Sequence, residues 1–132
     1  MQKDIIVLKN GRMLDCIGNE PKEGVSVVVE EGIIKNIITD TRNIPSGADI
    51  IELHGRTIMP GLIEGHMHIA LSHLDLDGHV CQPAIITADR IIKNCSRLLD
   101  SGFTTVCDAG LANYELKNAI KSRTIKGPRL II

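Results

Sequence analysis

The chain has 132 residues, of which 43% are hydrophobic, and a formal net charge of -1, an ordinary composition for one folded domain or two small ones. Near-neutral charge without a basic block leaves no electrostatic footprint for nucleic acid or a membrane surface, and Phe103 and Tyr114 are too few aromatics for a base-stacking platform. No run approaches the roughly 18–20 apolar residues of a membrane helix, residues 1–12 lack a signal peptide's apolar stretch, and Cys16, Cys81, Cys95 and Cys107 form no CxxC pair, so a cytoplasmic protein with reduced thiols is expected.

In chain order, Asp4 to Lys9 alternates around Ile5 and Val7, and Asn10-Gly11 follows as a two-residue turn signal before Arg12 to Cys16. A first hairpin is expected there. Val25 to Glu30, the tight turn Glu31-Gly32 and Ile33 to Ile38 predict a second hairpin. Thr39 to Ala48, with Asn43, Pro45 and Gly47, reads as a loop. Ile50 to Leu53 and Arg56 to Ile58 flank His54-Gly55 as a third hairpin, with His54 a surface or capping residue at its turn. Residues 1–60 are thus expected to form a small β-sandwich-like domain of antiparallel hairpins, with a β-branched face that needs covering.

The stretch Met59-Pro60-Gly61-Leu62-Ile63-Glu64-Gly65-His66-Met67-His68 comes next. It reads as a turn, a short apolar strand and two histidines one residue apart. Side chains on a strand alternate faces, so His66 and His68 point the same way while Met67 points the other. The pair can converge on one metal ion, each imidazole reaching it at about 2.0–2.1 Å. The alternative is two ordinary polar residues at a strand end. A metallo-β-lactamase-like continuation would need aspartate and histidine where Ala70 and Leu71 stand, and a cupin-like one would need a nearby glutamate, whereas the next is Glu115.

Residues 69–83 read as an irregular loop holding His73, Asp75, Asp77, His79 and Cys81. Its acidic pair lacks the rest of a calcium loop. His73 and His79 are candidates to touch substrate if the loop overhangs a barrel mouth. Thr87 is the expected N-cap of a helix carrying Ile91, Ile92, Cys95, Leu98 and Leu99, with Gly102 placed to end it. Phe103 to Asp108 is a β-branched strand, Asn113 the expected cap of a second helix with Leu116, Ala119 and Ile120, and Arg129 to Ile132 a further strand. Strand, helix, strand, helix, strand implies parallel pairing, as in an α/β barrel or a doubly wound sheet. Asp108 ends its strand on the rim that carries the histidine pair.

The decamer resembles the amidohydrolase superfamily signature Pro-Gly-Leu-Ile-Asp-x-His-x-His, with Glu64 in place of the usual aspartate. The run from Ser101 to Gly110 and Gly127-Pro128-Arg129-Leu130 resemble successive landmarks of the same barrels, and the closest likeness is to the imidazolonepropionase-related branch. The resemblance implies an α/β fold: a small N-terminal β domain over residues 1–60, then the first βαβαβ portion of a (β/α)₈ barrel over 61–132. It implies His66 and His68 as ligands of a divalent metal, zinc, with one or two ions in the complete protein. Asp108 would be structural or supporting rather than a ligand.

A complete barrel takes about 250 residues, so this chain is expected to be the N-terminal part of a longer hydrolase. Its remaining ligands and general base would lie beyond residue 132, and no catalytic residue is assignable here. The implied activity is hydrolysis of amide or other C–N bonds of small molecules through a metal-activated water. Two alternatives stand beside it: a dipeptidase of the same superfamily, and a non-catalytic β-sheet binding module with incidental histidines. The expected partners are a small-molecule substrate and, because a sheet cut after three strands leaves edges and apolar faces unpaired, further copies of the chain in a homo-oligomer or domain-swapped assembly.

Overall fold

A computed structural model describes residues 4–18, 20–71 and 82–132, so His73, Asp75, Asp77, His79 and Cys81 lie outside the described residues. The chain divides into two compact units, Met1–Pro60 and Gly61–Ile132.

The first unit is one mixed sheet. Strands β1 (Ile5–Met13), β2 (Lys22–Glu30), β3 (Ile33–Ile38), β4 (Asp49–Glu52) and β5 (Thr57–Ile58) are ordered β3-β2-β1-β4, with β5 also on β1. The hairpin at Glu31-Gly32 forms as its residues suggest: β2 and β3 pair antiparallel, and both turn residues take positive φ, 52° and 76°, as the tight primed turn requires.

The other two expected hairpins do not form. Asn10 and Gly11 lie inside β1, which runs straight through them and pairs antiparallel with β2, with register shifts on both sides of Gly11. Asn10 takes φ 58°, so the Asn-Gly pair makes a bulge in a continuing strand instead of reversing it. His54-Gly55 likewise fails to reverse the chain. β4 and β5 both run parallel to β1, along residues 6–9 and 12–13. The intervening residues bulge beside the first bulge, with Leu53 N–H donating to Lys9 O, Gly55 N–H to Asn10 O and Arg12 N–H to Arg56 O. Gly11 fits closely here: a Cβ would lie 2.7 Å from Leu53 Cδ1 and 3.2 Å from Arg56 O, so a larger residue would make these neighbours shift. The expected all-antiparallel arrangement is therefore corrected to a mixed sheet, and Arg12 to Cys16 is not a separate strand.

The apolar residues also divide differently from the expected single face. Val7, Val28 and Ile38 form one buried cluster under Ile44 and Ala48, while Met13, Val25 and Val27 form another with Leu8, Val29 and Ile58. Cross-strand partners such as Val7 and Val28, or Leu8 and Val27, share a face. Val25 to Val28 is buried without interruption, so the central strand is covered on both sides.

The second unit has three parallel strands in the order β6-β7-β8, namely β6 (Leu62–Met67), β7 (Phe103–Asp108) and β8 (Arg129–Ile131). Helix α1 (Ala84–Asp100) joins the segment after β6 to β7, and α2 (Tyr114–Lys121) joins β7 to β8. Thr87 is not the N-cap of α1. The helix starts three residues earlier, after Pro83, and Thr87 N–H donates to Pro83 O in its first turn. Gly102 does close it, at φ 88° with its N–H on Leu99 O. Asn113 Oδ1 accepts from Leu116 N–H at 3.0 Å and caps α2.

Ile69, Cys95, Val106, Leu116, Ile120 and Leu130 are buried between the strands and the helices. On β7, Val106 enters this core, so residues in register with its neighbours, such as Ile63 beside Thr105 and Ile131 beside Cys107, fall on the opposite face. Ile63 is 70% exposed there. Among the described residues no helix is long and apolar enough to cross a membrane.

Candidate metal centre

The site is the carboxyl end of β6. The strand starts at a tight contact, because a Cβ on Gly61 would lie 2.1 Å from Thr104 Oγ1. This leaves glycine as the residue that lets β6 lie this close to β7. Further along, Glu64 pairs with Val106 and Met67 with Asp108, three steps on β6 against two on β7. The extra residue is a bulge, which re-aims side chains at a strand end. Glu64 holds it, its carboxylate accepting from His66 N–H at 3.0 Å.

Met67 packs against the helical core, and the rings of His66 and His68 come together with centres 5.5 Å apart and planes at 89°. An ion ~2.1 Å from one nitrogen of each ring, at a tetrahedral angle, would place the ring centres about 5 Å apart. The observed spacing fits one ion between them. His68 Nδ1 lies 3.2 Å from Gly110 O. A carbonyl only accepts, so Nδ1 carries a proton, and in the neutral imidazole Nε2 then keeps its lone pair for a metal. His66 is exposed and His68 half-buried. Among the described residues no group of three or more His, Cys, Asp or Glu side chains gathers around an ion position.

Asp108 is 6% exposed, and its carboxylate is held by backbone amides. Its Oδ2 accepts from Ile69 N–H, while Oδ1 accepts from Gly110 N–H at 2.9 Å and Ala112 N–H at 3.2 Å. Asn94, which the sequence reading passed over, donates from Nδ2 to Ile69 O at 3.0 Å. A signal for it existed: Asn94 sits three residues after Ile91 and four before Leu98, on the inward side of an apolar helix, where a polar side chain needs a partner. His68, Leu71, Asn94 and Arg97 line a cleft of about 320 Å³. His54 belongs to the first unit, exposed at φ 51°.

A parallel strand and helix unit with paired histidines at the carboxyl end of its first strand defines a class, the α/β proteins that place their chemistry at strand ends. The chain belongs to the amidohydrolase family, whose model matches residues 57–132. It is similar to a dihydroorotase of Trichlorobacter lovleyi, with 29% identity over 77% of this chain and 21% of that enzyme. It is also similar to an adenine deaminase of Brucella abortus, with 35% identity over 78% of this chain and 19% of that enzyme. Among solved structures, a prolidase complexed with N-methylphosphonate-L-proline matches 96% of this chain and 31% of its own, at 33% identity and a TM-score of 0.87. A crystal structure of an amidohydrolase matches equally well, with the same identity and TM-score. These neighbours place the fold in the TIM-barrel-type superfamily with an N-terminal β domain. The chain spans about a fifth of the length of the curated relatives it matches.

Proposed function

We propose that this chain contributes His66 and His68 to the metal centre of a hydrolase that cleaves amide or other C–N bonds of small molecules. The observation that carries the reading is the pair itself: two rings 5.5 Å apart, one with Nδ1 already held by a backbone carbonyl. Family membership supports a hydrolase, and a deaminase and a prolidase among the similar proteins support the bond class. The metal is zinc in this proposal. Such an ion, when bound, supplies a Lewis acid and lowers the pKa of water toward about 7. The chain's own residues hold and orient. His68 presents Nε2, Gly110 fixes its ring, and Glu64 secures the bulge that turns His66 toward it.

A catalytic zinc usually takes three protein ligands, so the remaining donors of the full-length protein complete the set. Metal analysis of that protein with and without His66→Ala and His68→Ala tests the reading. Each single variant is expected to lose most of its zinc. Unchanged metal content in the double variant would instead favour a binding module in which the histidines are incidental. We also propose that the isolated 132 residues self-associate, on the support of Ile63 and Ile131 on an open sheet face; a sharp monomer in light scattering would count against it.

A further inference from the structure

We propose that Asp108 is a positioning residue for the metal centre, clamping the two backbone segments that aim the His68 imidazole. The inference rests on the reading of His68 as a ligand. Ile69 follows His68 directly, and both of its backbone polar groups are held by buried or half-buried side chains: its N–H by Asp108 Oδ2 and its carbonyl by Asn94 Nδ2. The neighbouring groups are also occupied, with Ala109 N–H on Met67 O at 2.8 Å and Leu71 N–H on His68 O at 3.0 Å. The carbonyls of Met67, His68 and Ile69 and the N–H of Ile69 are therefore all held, which restrains the main chain on both sides of the His68 ring.

The same carboxylate sets the other end of the ring. Asp108 Oδ1 accepts from Gly110 N–H and from Ala112 N–H, and these two amides bracket the peptide whose carbonyl receives His68 Nδ1. Between them Leu111 takes φ 77°, a left-handed conformation that a branched apolar residue rarely adopts. Such a conformation persists where the surroundings over-determine it, and it concentrates at functional sites. Asp108 supplies that constraint. One carboxylate thus joins residues 69, 110 and 112, fixing the backbone beside His68 and the acceptor of its ring together. The consequence is tautomeric: Nδ1 keeps the proton and Nε2 faces outward before any ion arrives.

The test uses the full-length protein. In zinc-free wild type at pH 8.5, long-range ¹H–¹⁵N correlation spectra should show His68 with Nδ1 protonated. Asp108→Asn keeps the size but turns one acceptor into a donor, so it should give a mixture of tautomers at His68. Zinc affinity, read by competition with a chromophoric chelator, should fall roughly 10- to 100-fold, with an unchanged circular dichroism spectrum. A folded Asp108→Asn protein with wild-type affinity and a single Nδ1-protonated His68 would overturn the proposal. If the variant does not fold, the wild-type spectrum decides, and an Nε2-protonated His68 overturns it. A wild type that takes up no zinc would sink the metal reading instead, while the tautomer measurement would still judge the clamp.

Discussion

The two units stabilise the irregular points of their sheets by different means. In residues 1–60 the paired bulges at Asn10-Gly11 and His54-Gly55 are stitched mainly by backbone hydrogen bonds, with one side chain added where Asn10 N–H donates to the buried Ser26 Oγ at 3.2 Å. The charged side chains nearby form surface pairs, Lys9 with Glu52 and Lys22 with Asp15, which solvent screens. In residues 61–132 the bulge at the end of β6 is held by side chains, Glu64 on His66, Asp108 on Ile69 and Asn94 behind it. Backbone stitching shapes a sheet, whereas side-chain clamps specify where a functional group points. On the proposed reading, the second unit uses such clamps to aim its histidine pair.

The sharpest way to break this comparison is to empty a core position beside the clamp. Ile69 is fully buried, and Ile69→Ala is expected to cost about 2–5 kcal/mol. Ile37, 49% exposed on the first sheet, should cost less than about 1 kcal/mol on the same change, since little cavity is left. Urea denaturation of both variants measures this. Equal losses would mean that the two units do not differ in how tightly they specify their interiors.

A smaller effect is expected at the start of β6. Gly61→Ala would drive a Cβ into Thr104, whose Oγ1, Cγ2 and Cβ all lie within 2.7 Å of its position, and overpacking of this kind costs about 1–3 kcal/mol. The double variant Gly61→Ala with Thr104→Ser, which removes the Cγ2 methyl, should recover part of the loss. If Gly61→Ala unfolds at the wild-type urea midpoint, β6 is less closely packed than the structure shows.

How much of this was legible in the sequence follows the same division. The second unit was read well because its signals are local and redundant: helical spacing from Ile91 to Leu98, Gly102 after it, Asn113 before α2, and a β-branched run at Phe103 to Asp108. The approach of His66 to His68 followed from strand alternation, although the bulge that adjusts it was not legible, because it depends on register with β7. The first unit was misread at two of three turns. Asn10, His54 and Gly55 do take positive φ, but positive φ serves a bulge as well as a reversal. The choice was made by β2, β4 and β5 competing for the two edges of β1, which is a tertiary matter. Asn94 and Gly110 were missed because their partners lie 25 and 42 residues away in sequence.

The smallest expected effect concerns acid. Among the described residues the carboxylates shifted downward all lie in the first unit: Asp15, Asp40 and Glu52. Asp15 is held well below the ordinary carboxylate range by its hydrogen bond to Lys22 at 2.8 Å, then by the amides of Gly18 and Ile17. A carboxylate whose folded pKa is depressed adds stability above the unfolded value, about 3.9 for aspartate, and loses it as pH falls through the folded value. The contribution of Asp15 is therefore intact at neutral pH and fades only below about pH 4. In an NMR titration the Ile17 and Gly18 amide resonances should move with the Asp15 carboxylate, at a midpoint below the ordinary value. In Asp15→Asn the advantage of wild type at pH 6 should shrink steadily toward pH 2. A midpoint near 3.9, or stability curves that stay parallel over that range, would show that the loop after β1 is not held by this carboxylate, and the acid response would no longer separate the two units.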